Sequence, residues 1–158
     1  MKISVREARA GDGAALHAMV EALAHSHGEI EHFKATSVDY EVALFRDNAI
    51  IGALIASADE VPAGCAIWHR SFSTFRGRET LYLEDLAVLP DFRRQGIARE
   101  LLKAVARLAN SRGMPSVSWM MMNWNEGARN LYASAGAEIV DGMCYCRLHG
   151  AALERLAQ

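Results

Sequence analysis

Between residues 81 and 119 the chain switches twice between the two backbone periods, and that switch limits what it can fold into. "TLYLEDLAV" reads as a strand, "SVSWMMMNW" as another, and a helical pattern lies between them. Ile97, Leu101, Leu102, Val105 and Leu108 recur at the spacing of one helical face. A strand, a helix and a second strand in this order predict a parallel pair joined by a right-handed crossover. The turn that opens the helix, "RRQGIA", sets two arginines and a glutamine against Gly96. Glycine is worth having there only if the backbone bends tightly or must let something approach closely. The N–H groups left free at such a helix start form a ready anion site.

The remaining elements follow from the same periodicities. "ISVREA" alternates and is the first strand; Asp12 is placed to cap a helix carrying Leu16, Met19, Val20 and Leu23. A polar stretch, "HSHGEIEHFKATSVDY", leads into a short second helix near residues 38–45. "AIIGALIASADEVPAGCAIWHRSF" reads as two strands joined by a turn around Pro62 to Gly64. "EGARNLYASAG" is a short helix ending at Gly136, "AEIVDGMCYCRLHG" a hairpin, and a short helix closes the chain. No repeat or linker interrupts this order. The expectation is one domain over residues 1–158, of α/β (α+β) class, with a mixed central sheet of six or seven strands flanked by helices.

Composition narrows the function classes. A chain of 158 residues, 51% hydrophobic and 23% charged, can bury a sizeable core. A net charge of −2 supplies no basic face for nucleic acid, and no apolar run approaches membrane-spanning length. "MKISVREA" has no signal-peptide core, and Cys65, Cys144 and Cys146 are an odd number best read as reduced thiols, so a cytoplasmic protein is expected. His25, His27 and His32 suggest a metal site, but a polar surface loop gives the same pattern and the spacings of structural zinc are missing. No metal is expected. The "WMMM" run reads as a buried strand and its edge.

Arg93, Arg94, Gln95, Gly96, Ile97 and Ala98 fit the pattern R/Q-x-x-G-x-G/A after a strand and before a helix. Backbone N–H groups from Arg94 to Ala98 would face a pyrophosphate, aided by the helix dipole, and small residues at 96 and 98 let phosphates come close. The turn lacks the ending of a Walker loop and is not a G-x-G-x-x-G dinucleotide turn. Taken alone, an arginine pair at a helix start is usually just solvated charge.

With its flanks the turn resembles the acetyl-CoA pyrophosphate loop of the Gcn5-related N-acetyltransferase (GNAT) superfamily, and within it the diamine (spermidine/spermine-like) acetyltransferase group. The resemblance is carried by "SFSTFRG", "LYLEDLAV", "RRQGIA", "WNEGARNLYASAGA" and the ending "RLHGAALERLA". It covers much of the last ninety or so residues in order, whereas the first seventy or so match mainly in element order.

The resemblance implies direct transfer of acetyl from acetyl-CoA to a primary amine of a small molecule, such as a diamine, a polyamine or a thialysine-like amino acid. Cofactor contacts then fall on Leu86, Ala87 and Val88, on the six turn residues from Arg93 to Ala98, and on Asn125 and Tyr132. Adjacent strand residues face opposite ways, so Glu84 and Asp85 can serve one site only if the strand is bulged. The resemblance implies that bulge, splays this strand from the next, makes Glu84 a water-relayed base, and leaves Asp85 to orient the amine or the backbone. It also places Tyr132 at the family's proton donor to the departing thiolate. A phenol near pKa 10 is a weaker acid than a thiol near 8.5, so full transfer is uphill by about 1.5 pKa units and a hydrogen bond is the alternative. Glu29 and Glu31 are candidates to recognise a cationic amine; Trp68, Phe72 and Phe75 are candidates to pack on its carbon chain. The chain departs from the polyamine enzymes at Ser26 and His27, where those carry an aromatic–acidic pair, and at Met143, where relatives often carry tryptophan. The lost acidic group puts long polyamines in doubt and leaves smaller diamines, thialysine-like amino acids or another amine open. A homodimer is expected by analogy. A catalytically silent acyl-CoA sensor and a protein or peptide N-acetyltransferase are the alternatives.

Overall fold

In the computed structural model, which describes residues 1–158, the chain runs in order through β1 (Ile3–Glu7), α1 (Gly13–His27), α2 (Ser37–Phe45), β2 (Ile51–Ala58), β3 (Val61–Ser73), β4 (Arg78–Val88), α3 (Ile97–Ser111), β5 (Val117–Ser118), α4 (Glu126–Ser134) and α5 (Gly150–Leu156). Two units divide it, residues 1–122 and 123–158.

The first unit holds one five-stranded mixed sheet in the order β1-β2-β3-β4-β5. The first three pairings are antiparallel; β4 and β5, joined through α3, are parallel. On one face Leu16 and Met19 of α1 are buried against Ala53, Ile55, Cys65, Ile67 and Ala87. Side chains alternate along a strand, so Ala66 and Trp68 take the opposite face, against which α3 packs. The helical stripe read from the sequence buries Ile97, Leu101, Leu102 and Val105; Ala109 is buried beside them, while Leu108 is only half-buried.

Five strands replace the expected six or seven. The segment 138–149 forms no strand, and Val140, Met143, Tyr145 and Leu148 within it are exposed. With no buried face nothing fixes a register, and an isolated hairpin is marginal in water. β5 is also short: only Val117 and Ser118 pair, so the Trp119–Met122 stretch lies outside the sheet, and Met120 is exposed.

Two local expectations also change. The β2–β3 turn falls at Asp59 and Glu60, both at positive φ (45° and 71°), the backbone of a tight type I′ hairpin. Pro62 instead is the second residue of β3, opposite Ser57 where the register shifts, a position that tolerates a missing donor. Asp12 precedes α1 without capping it through its side chain. Its carboxylate grips the Arg6 guanidinium at 2.6 and 2.8 Å, which lowers its pKa, and accepts from the Arg9 N–H. The start of α1 is held from α2, where Glu41 accepts from the N–H groups of Gly11 and Gly13. α2 has its own capping box, Thr36 with Asp39.

Candidate active site

Ile67 pairs with Asp85 and the next residue, Trp68, pairs with Leu83, so Glu84 has no partner across the strand. Glu84 is thus the extra residue of a β-bulge. β5 pairs with β4 only at Leu81 and Tyr82, and beyond them the outer edge of β4, including residues 86–88, has no neighbouring strand. On the inner edge β3 lies very close: a Cβ on Gly64 would meet the Ala87 carbonyl oxygen at 2.7 Å and an Ile97 methyl at 3.2 Å. Only glycine lets β3 sit this near the stretch of β4 that has no strand on its other edge.

After β4 a single 3-10 turn at Pro90–Phe92 leads into the Arg93 to Gly96 bend. Arg94 (φ 62°) and Gly96 (φ 88°) both adopt the left-handed region, which turns the backbone sharply into α3. The Arg93 side chain ties back to the Val88 carbonyl at 3.1 Å, and the Gln95 amide donates to the Asp91 carbonyl at 3.0 Å. No side chain caps α3, and the backbone N–H groups of residues 94–98 have no acceptor within the chain. The turn is braced by its own polar side chains while its amides stay available, which suits an anion of several oxygens.

The bulge brings both carboxylates to one neighbourhood with different environments. Glu84 is 58% exposed in its side chain, and its Oε2 lies 3.6 Å from Nε2 of His69. The His69 ring stacks on Tyr82, with centroids 5.0 Å apart. Asp85 faces the α1–α2 side, and no basic side chain pairs with it. Burial, and then the charge of Glu84, push its pKa up to about 6. Its charge is felt by Tyr40 of α2, whose pKa rises to about 12 mainly through burial, and by the Cys65 thiol, which burial drives far above its usual range. The ring of His17 lies 5.2 Å from Phe33 and 6.3 Å from Tyr40, forming an aromatic cluster on this side.

The other expected acceptor residues lie elsewhere. Glu29 and Glu31 are exposed around a 3-10 turn, Glu29 lying 3.8 Å from His32. Trp68 is buried on the face opposite Asp85, laid over Gly52, with the Arg112 guanidinium 4.5 Å above its ring. It borders a cleft of about 410 Å³ lined also by Leu44, Phe45, Gly52, Arg70 and Arg112. Phe72 and Phe75 are exposed at the far end of the β3–β4 hairpin. Alternation with the pairing decides these positions, and the pairing is not visible in a single strand. Tyr40, His17 and His69 were not singled out from sequence. For Tyr82 a signal existed, since Tyr-x-Glu in a strand puts two side chains on one face.

The second unit carries the two remaining candidates. The Asn125 side-chain oxygen accepts from the Ala128 N–H at 3.0 Å and so caps α4. Its amide N–H2 remains as a donor. Tyr132 is the one buried residue of α4, and burial raises the pKa of its phenol. α4 gives way at Ala135, followed by Gly136 at φ 83°, as its sequence suggested.

Comparison with known proteins agrees with these features. The model of the acetyltransferase (GNAT) family matches residues 11–137, across the boundary between the two units. A thialysine N-epsilon-acetyltransferase from Caenorhabditis elegans is 33% identical over 84% of this chain and 86% of its own length. Among solved structures, an integron cassette protein from V. cholerae superposes with a TM-score of 0.81 at 22% identity, covering 100% of this chain and 99% of its own. An aminoglycoside acetyltransferase, AAC(6')-Iy, in complex with a CoA bisubstrate analogue superposes at 0.75 and 22% identity, covering 95% of this chain and 100% of its own.

Proposed function

Because the chain belongs to the acetyltransferase (GNAT) family, we propose that it transfers the acetyl group of acetyl-CoA to a primary amine of a small molecule, as one domain over residues 1–158. The observation that carries this reading is the bulge at Glu84, beside a strand edge left open and a turn whose amides lack acceptors. The amides of residues 94–98 would hold the pyrophosphate, with Arg93, Arg94 and Gln95 bracing or flanking it. The open edge at Leu86, Ala87 and Val88 would take hydrogen bonds from the pantetheine arm, and the amide of Asn125 would donate to it. Acetyl-CoA supplies a thioester that an amine nitrogen attacks directly.

The chain's own groups deal with protons and charge. A lysine-like amine with pKa near 10.4 must lose a proton, at a cost of about 4.6 kcal/mol at pH 7. Glu84, more than half exposed, takes that proton through water. Asp85 is a largely buried carboxylate without a cationic partner, and an incoming ammonium group would supply one. One buried acid recognises one amine, and with the relative named for thialysine this favours a diamine or thialysine-like amino acid over a long polyamine. A backbone N–H near Leu86 polarises the thioester carbonyl. Tyr132, made a weaker acid by burial, serves the departing thiolate by donating a hydrogen bond and keeps its proton. A cytoplasmic location and a homodimer complete the reading by analogy with the family.

The test is free-thiol release from acetyl-CoA with diamines, polyamines, thialysine, free lysine and a lysine peptide. Release driven most by a diamine or by thialysine is expected. Release only with the peptide would move the acceptor to proteins, and silence with every amine would leave a sensor.

A further inference from the structure

The pairing of His69 with Glu84 is left unused by the mechanism above. The Nδ1 of His69 lies 3.1 Å from the Arg70 carbonyl oxygen. A carbonyl can only accept, so Nδ1 carries a hydrogen and, in the neutral ring, Nε2 holds a lone pair. That nitrogen lies 3.6 Å from the Glu84 carboxylate oxygen, just beyond hydrogen-bond distance. Two acceptors at that separation repel, and a proton on either one would draw them into a hydrogen bond. Tyr82, stacked on the ring, and the Arg70 carbonyl fix its plane, while Ile51 pairs with His69 from β2. The charged group next to the pair is Asp85; Arg70 is engaged 3.8 Å from Glu79. The His69 side chain is 34% exposed, enough to reach water.

From this geometry we infer that His69 is a positioning residue for Glu84 and the outlet for the proton that Glu84 receives. The inference rests on Glu84 being the proton acceptor in the proposed acetyl transfer. Glu84, once protonated by the amine through water, donates its O–H proton to Nε2. The carboxylate is regenerated, imidazolium forms, and Nε2 then releases the proton to solvent. No other group changes its protonation.

A double-mutant cycle on kcat, with exogenous imidazole, tests it. His69→Ala is expected to lower kcat on the order of tenfold or more with little change in KM for acetyl-CoA, and imidazole to restore much of the loss. In the Glu84→Gln background the same substitution should cost nothing further and imidazole should have no effect. A His69→Ala enzyme as fast as wild type beside a crippled Glu84→Gln enzyme would overturn the role of His69 and leave the base assignment intact. Equal losses in both backgrounds, or no rescue by imidazole, would overturn it as well. Full activity in both single variants would remove Glu84 and His69 together.

Discussion

Replacing Glu84 with glutamine is expected to lower kcat for amine acetylation by about 10²- to 10⁴-fold, the span supplied by a positioned general base. The change keeps the shape and the bulge while removing the only function assigned to this carboxylate. Acetyl-CoA affinity should be unchanged, because the cofactor contacts are assigned to the open edge of β4 and to the turn before α3. Raising the pH should recover part of the loss, since more of the amine is then unprotonated before it binds. The measurement is steady-state thiol release across pH together with binding of acetyl-CoA. A kcat within a few-fold of wild type at every pH would assign the proton to another group, and Asp85 is the nearest candidate.

Replacing Asp85 with asparagine should raise stability at neutral pH while harming acetylation. Burial holds the Asp85 carboxyl at a pKa of about 6, above the 3.8 of an unperturbed group. Between these values the native chain binds more protons than the unfolded chain, so the Asp85 contribution to stability falls as pH rises. That contribution is fully present below the unfolded pKa and is lost as pH passes through about 6. The cost of holding the carboxylate charged is on the order of 3 kcal/mol. Chemical denaturation from pH 4 to 7 should show wild type losing up to this amount relative to Asp85→Asn. A difference constant with pH, or one of opposite sign, would contradict an unpaired buried carboxylate. An amine that binds Asp85 should raise wild-type stability and not that of the variant.

Stability given up for an unpaired buried charge is the mark of a group held for a ligand. Trp68 offers the contrast. It is buried too, but it is neutral: it lies over Gly52 beneath Arg112 on the other face of the sheet, and its one unsatisfied group is the indole N–H.

The elements most legible in the sequence were those whose signals are local. The strand, the Gly96 turn and the apolar stripe of α3 each sit within a few residues, and the parallel β4–β5 pair follows from their order. Glu84 as a bulge residue was available only through family resemblance, because a bulge is a mismatch between two strands and neither carries it alone. The same reason hid His69, which meets Glu84 only through the β3–β4 register. Asp12 has the side chain of a helix cap but is taken by Arg6, and Glu41 supplies the acceptors from the next helix. The alternating residues of segment 138–149 look like a hairpin, yet with those side chains exposed the pattern has nothing to bury against.

The central claim, that the turn before α3 and the open edge of β4 hold acetyl-CoA, is tested most directly by titrating acetyl-CoA into isotopically labelled protein and following backbone amide resonances. Saturable shifts are expected at residues 94–98 and 86–88, with dephospho-CoA and free pantetheine separating the pyrophosphate contacts from those of the arm. Shifts concentrated in the Trp68 and Arg112 cleft, with the turn amides unmoved, would contradict it.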